Sequence, residues 1–353
     1  METLWDVLDA NIPDELQPKY ASKNMAAGTR DIPPAEANES KQFKLHAVVY
    51  YGELMHSLIE DGRRAAEMVD IHGLNKTKYA LWRPHVVHGS SSFMLPPFIN
   101  SEMDTTAWFN QVLARPALAA VNLVQDTRRG FQSAFTATTN TAPPPFIISA
   151  RKLQKKPITD EMLMKGGSKT PTASVNTTPR VIIELKTGNA LNRTFIKVSE
   201  NRIDNAGRRI AIPFVYPDGV QEKGKTAKIL VQLWSQMVFH ECDYGILSSY
   251  HETIFVYRKT YYDQGKPMNI LFLSETYEIG SSSLSPMFSL FLHTLETTPT
   301  DIPVPPINRA LAAKFMSDSE VEKMERRKDT RKKKFKFPIG LQTTYTDQIY
   351  HLV

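Results

Sequence analysis

The sequence predicts an α/β fold, a central mixed sheet flanked by helices, and three observations lead there. From Val181 onward, VIIEL is an apolar run of strand length. TAKILVQLWSQMVFH then carries apolar residues at Ile229, Leu230, Leu233, Trp234, Met237 and Val238, the spacing of an amphipathic helix. YGILSSY, TIFVYRK and NILFLSETY follow as short β-rich runs, and strand, helix, strand is the order of a mixed sheet. With 353 residues and 41% hydrophobic composition, the chain is large enough to bury such a core.

Taken in order, residues 1–41 form an N-terminal arm. A short amphipathic piece leads into a segment from Pro13 to Lys41 that is poor in large apolar residues and expected to be flexible. HAVVYYGELMHSLIEDGRRAAEMVDIHG has apolar residues at helical spacing and a glycine stop at Gly73, so it reads as a helical extension. A second helix is expected over Glu102 to Leu113. Between residues 127 and 179, Thr, Ser, Pro and Gly dominate, which suggests a loop insertion in which only FIIS at Phe146 to Ser149 reads as a strand. RTFIKVSEN and RIAIPFVYP read as a strand pair. The main α/β domain is thus assigned to residues 42–298, with a Pro-rich spacer and basic tail over 299–353.

Composition excludes several classes. One cysteine, Cys242, forms no internal disulfide, and the acidic start is no secretory signal, so an intracellular protein, nuclear or cytoplasmic, is expected. No run approaches a membrane span; MFSLFLHTL at Met287 to Leu295 comes nearest. Glu320 to Lys336 holds nine Lys/Arg against four acids and supplies +5 of the net +6. Arg326, Arg327, Lys328, Arg331, Lys332, Lys333 and Lys334 are therefore candidate nucleic-acid contacts or an import signal, and a solvated charged helix is the other reading. Phosphate loops, GxGxxG turns, GxSxG elbows and kinase signatures are absent.

The chemistry-bearing constellation is VIIELKTG. Glu184 and Lys186 stand two apart at the end of an apolar strand, so both side chains leave one face of the sheet. A carboxylate gives Mg²⁺ a hard oxygen ligand, and a neighbouring ammonium can position an attacking water or offset phosphate charge. The same pair also fits an exposed strand end whose charges contribute about 0 to 1 kcal/mol. The Glu-x-Lys strand, the helix with Gln232 and Gln236, and the paired strands YGILSSYHETIFVYR together resemble the PD-(D/E)xK-type domain of fungal and oomycete families. Some of those families are Crinkler-like and some are fused to a protein kinase.

The resemblance covers Val181 to Arg258 and implies a restriction-endonuclease-like fold acting as a Mg²⁺-dependent nuclease on DNA or RNA. It assigns Lys186 as the catalytic lysine, Glu184 as a metal ligand and Gln232 as a supporting residue. The acid that shares the metal opens the preceding strand in that pattern, where PPPFIIS puts Pro145. Asp160 in KPITDEM or Asp126 in NLVQDTRRG would have to substitute, although neither opens an apolar strand by sequence. Glu102 is a further acid, matching one that some members carry on the first core helix. If the missing acid is real, the chain is instead a non-cutting module that binds a protein or nucleic acid. His85 and His88 read as loop histidines, and Cys242 as a half-buried helix-end cysteine.

Overall fold

The structure, a computed structural model, describes residues 3–12, 19–20, 43–69, 95–96, 98–128, 145–149, 159–166, 177–188, 190–191, 203, 207–213, 225–263, 266–279, 284–296 and 301–308. By contacts the chain divides into Met1–Ala312 and Ala313–Val353, and all described residues belong to the first unit. The basic tail, Gly73, His85, His88 and RTFIKVSEN lie outside the described residues.

An eight-stranded mixed sheet organises this unit. Its strands are β2 (Leu45–Tyr50), β4 (Phe146–Ser149), β5 (Glu161–Gly166), β6 (Thr177–Leu185), β8 (Ile212–Pro213), β9 (Tyr244–Ser248), β10 (Glu252–Asp263) and β11 (Lys266–Glu278). Short parallel pairs join β1 (Lys19–Tyr20) to β3 (Phe98–Ile99), and β7 (Arg209–Ile210) to β12 (Ile307–Asn308). Across the main sheet the order is β4-β5-β6-β9-β10-β11-β2-β8. β4, β5 and β6 run antiparallel, β6 and β9 are parallel, β9, β10 and β11 are antiparallel, β11 and β2 are parallel, and β8 closes the edge antiparallel to β2.

The helices are α1 (Leu4–Leu8), α2 (His56–Glu67), α3 (Glu102–Trp108), α4 (Arg115–Arg128), α5 (Lys225–Phe239) and α6 (Leu284–Leu295). They cover the two faces unequally, and strand alternation decides which residue meets which layer. Val181, Ile183 and Leu185 of β6 join a large apolar cluster with residues of α1, α2, α3, α4 and α6, whereas Ile182 faces Ile229, Leu230, Leu233 and Trp234 of α5. MFSLFLHTL lies in α6, every residue of which is buried, as expected of a helix apolar all round. Among the described residues no helix is long and apolar enough to cross a membrane.

Several expectations change. HAVVYY is strand β2, inserted between β11 and β8; the helix starts only at His56. β-branched and aromatic residues crowd this run, and the sheet satisfies its backbone groups through β11. The second helix does not stop at Leu113. A π turn over Phe109–Ala114 carries it into α4, immediately before Pro116, whose ring has no N–H to donate and would clash with a regular preceding turn. Within the presumed loop insertion, EMLMKG forms β5 and TTP extends β6. The start of the arm also belongs to the body: Leu4, Leu8 and Ile12 are core residues, and Thr3 and Asp6 form a capping box on α1. So does the start of the Pro-rich segment, where Ile302 enters the core and Ile307–Asn308 pairs with β7.

Candidate active site

Four elements bring their ends to one place. β6 supplies Glu184, and Lys186 follows the strand end, where its N–H donates to the Ser248 carbonyl of β9 at 2.9 Å. The period of two carries Ile182, Glu184 and Lys186 to the face covered by α5. There Gln236 Nε2 donates to Glu184 Oε2 at 3.1 Å. The register Glu161↔Ile183, extended by one pair, sets Asp160 opposite Glu184, and Asp160 Oδ2 accepts from the Leu185 N–H at 2.7 Å. The fourth element is α3. Ser101 caps it with Asp104 in a capping box, which fixes Glu102 as the first helical residue, and Glu102 Oε1 lies 3.2 Å from Lys186 Nζ.

Lys186 Nζ is also 2.7 Å from Glu184 Oε1, so one ammonium bridges two carboxylates. Glu184 is 0% exposed and Lys186 1%, while Glu102, at 42%, opens the cluster to solvent. The surface-pair reading is therefore overturned. Buried partners of this kind stabilise only together, and removing one typically costs about 3–5 kcal/mol. Burial, then the charge of Glu184, pushes the Asp160 carboxyl up to about 7, against the pull of Lys186 and of the Leu185 N–H. Burial alone would lower the Lys186 ammonium, but Glu184, Asp160 and Glu102 outweigh it and raise its pKa above the ordinary value.

Asp160 is thus the acid that opens the strand beside Glu-x-Lys. The expectation that Pro145 holds that position is corrected: β4, which follows Pro145, is one strand further out and, among the described residues, pairs only with β5. The view that Asp160 opens no apolar strand is corrected with it, since Met162, Leu163 and Met164 are core residues. Asp126 lies in the last turn of α4, and its side chain is outside the described residues. Gln232 is fully buried one turn before Gln236, whose Nε2 donates to Glu184. Nothing in the sequence ranks these two glutamines, which share a helix face.

Cys242 is no nucleophile candidate. It is buried, its Sγ donates to the His240 carbonyl at 3.6 Å, and burial pushes its thiol up to about 12.

Among the described residues no three His, Cys, Asp or Glu side chains stand together as a complete ligand set for a metal ion. The donors that do converge, Asp160 and Glu184, are hard carboxylate oxygens, and Mg²⁺ takes only one or two such protein ligands with water in its other positions. Asp160 and Glu184 match that ion in donor type and number, with both Glu184 oxygens engaged by Lys186 and Gln236. Charge agrees: three carboxylates surround a single ammonium in a site largely withdrawn from water. No family model, no curated protein and no solved structure matches the chain.

Proposed function

We propose that the chain is a metal-dependent phosphodiesterase of nuclease type, built on a restriction-endonuclease-like core. One observation carries this reading. Asp160 and Glu184 face each other across antiparallel strands, Lys186 projects two residues beyond Glu184, and α5 leads from that strand to a parallel neighbour. Asp160 and Glu184 would hold Mg²⁺, which supplies Lewis acidity toward a phosphoryl oxygen and lowers the pKa of a bound water. Lys186, held as an ammonium, would orient an attacking water and offset charge on the phosphate. Gln236 fixes the second oxygen of Glu184, and the Leu185 N–H fixes one of Asp160. In hydrolysis, water oxygen bonds to phosphorus, the bond to the leaving oxygen breaks, and a proton ends on that oxygen. The basic tail is the matching contact for a polyanionic substrate.

The test is cleavage of DNA and RNA with and without Mg²⁺ or Mn²⁺. Lys186→Ala and Asp160→Asn are each expected to lose at least about 100-fold in rate, with thermal unfolding followed in parallel to confirm that the variants fold. Cleavage unchanged in Lys186→Ala ends the proposal. A second reading, a non-cutting module that binds nucleic acid or protein, draws on the near-complete burial of Glu184 and Lys186. Robust Mg²⁺-dependent turnover by purified protein disposes of it.

A further inference from the structure

Tyr250 lies in the turn from β9 to β10, closed by the Ser249 N–H donating to the Glu252 carbonyl at 2.9 Å. Its φ is +72, and among described non-glycine residues only Glu241 shares a positive value. Glu241 is an exposed helix end; Tyr250 is fully buried. A bulky side chain in the left-handed region is a strained arrangement that persists only where the surroundings over-determine it. Glycine or asparagine would make the same turn more cheaply, so the ring itself must serve a purpose.

The ring touches one support of the site and the backbone another. The Tyr250 ring packs on Trp108 with centroids 5.6 Å apart, and Trp108 is tied down by its Nε1–H donating to the Pro96 carbonyl at 2.9 Å. Trp108 closes α3, the helix whose first residue is Glu102. On the other side, the Tyr250 N–H donates to Ser248 Oγ at 3.0 Å, and the Ser248 carbonyl accepts the Lys186 N–H. One strained residue therefore braces both the helix that aims Glu102 and the main chain that aims Lys186.

We infer that Tyr250 is a positioning residue, which sets the contact between Glu102 and Lys186 by wedging α3 against the β9–β10 turn. Its catalytic consequence rests on the phosphodiesterase reading; its structural consequence does not.

The experiment is a double-mutant cycle of Tyr250→Gly with Glu102→Gln, read by thermal unfolding and by Mg²⁺-dependent cleavage. Tyr250→Gly accepts the left-handed backbone and removes the whole side chain, and Tyr250→Phe separates the ring from its hydroxyl. In the wild-type background Glu102→Gln is expected to lower the melting temperature by about 2 °C. In the Tyr250→Gly background that decrement should vanish, because the contact is already lost. In cleavage, Tyr250→Gly should lower kcat about tenfold or more with KM nearly unchanged, Tyr250→Phe should restore it, and adding Glu102→Gln should change little.

An equal Glu102→Gln decrement in both backgrounds overturns the inference, as that is the behaviour of a residue that merely fills the core. Should Tyr250→Gly not fold, Trp108→Leu takes its place in the same cycle, with the same two outcomes. A wild-type protein without cleavage removes the phosphodiesterase reading alone, and the thermal cycle still decides on Tyr250.

Discussion

Glu161 adjoins Asp160 yet faces the opposite layer, where its carboxyl accepts from Asn110 Nδ2 of the π turn and meets the charge of Arg115. Burial, the larger influence, pushes it up to about 7 from an ordinary 4.5. An acid raised on folding contributes stability that is complete below its unfolded pKa and fades as pH rises through the folded one. Glu161 and Asp160 thus favour folding at about pH 4 and lose that contribution toward pH 7. His251 works in the other direction: burial lowers it to about 4, so its contribution is complete above about 6.5 and fades on acidification. Glu161→Gln isolates the first effect. Its melting temperature should match wild type near pH 5 and exceed it by a few degrees near pH 8; a constant offset across that range sinks the assignment. At this scale Glu184 and Lys186 were legible because spacing along one apolar strand suffices to set two side chains together. Asp160 was legible only as one of two acids, since β5 reads MLM where β-branched residues would have announced a strand. Tyr250 carries no sequence signal of its left-handed backbone.

Helix α5 ends in a closed cap. The Cys242 N–H donates to the Met237 carbonyl at 2.8 Å and the Glu241 N–H to the Val238 carbonyl at 3.1 Å, the paired bonds of a Schellman motif with Glu241 at φ 55. Glutamate there bears a left-handed penalty that glycine lacks. Glu241→Gly should therefore stabilise the protein by roughly 0.5–1 kcal/mol, seen as a higher urea midpoint with unchanged slope; a lower midpoint contradicts the cap. α5 itself was legible from its apolar period, and β9, β10 and β11 from their β-rich runs. β2 was not, because the periodicity of GELMHSLIEDGRRAAE continues back into HAVVYY, and its strand partner is remote in sequence. The π turn depends on how Pro116 is accommodated by its neighbours, which no local pattern specifies.

For the molecule as a whole, the excess positive charge is concentrated in the sequence from Glu320 to Lys336, which supplies +5 of the net +6. Replacing Arg326, Arg327, Lys328, Arg331, Lys332, Lys333 and Lys334 by Gln takes the net charge from +6 to −1. Binding of a labelled DNA duplex, followed by anisotropy, should then weaken most at low salt, and the steep dependence of log affinity on log salt should flatten. An unaltered slope would assign binding to the body. The α/β class was legible because its strands and one crossover helix fall in sequence order; the complete eight-strand order was not, because three of its seven pairings, β6 with β9, β11 with β2 and β2 with β8, join distant segments.

That order has a consequence for how the chain matures. Val48 pairs with Leu271, so the N-terminal strand LHAVVY leaves the ribosome long before the partner that will complete its ladder. Until then only the two-residue β8 can pair with it, and it stays an apolar, largely open ribbon of the kind that seeks other chains. Refolding from denaturant should accordingly be slow and yield-limited at high protein concentration, with the hairpin of Glu252–Asp263 and Lys266–Glu278 assembling first and the late docking of residues 45–50 setting the pace.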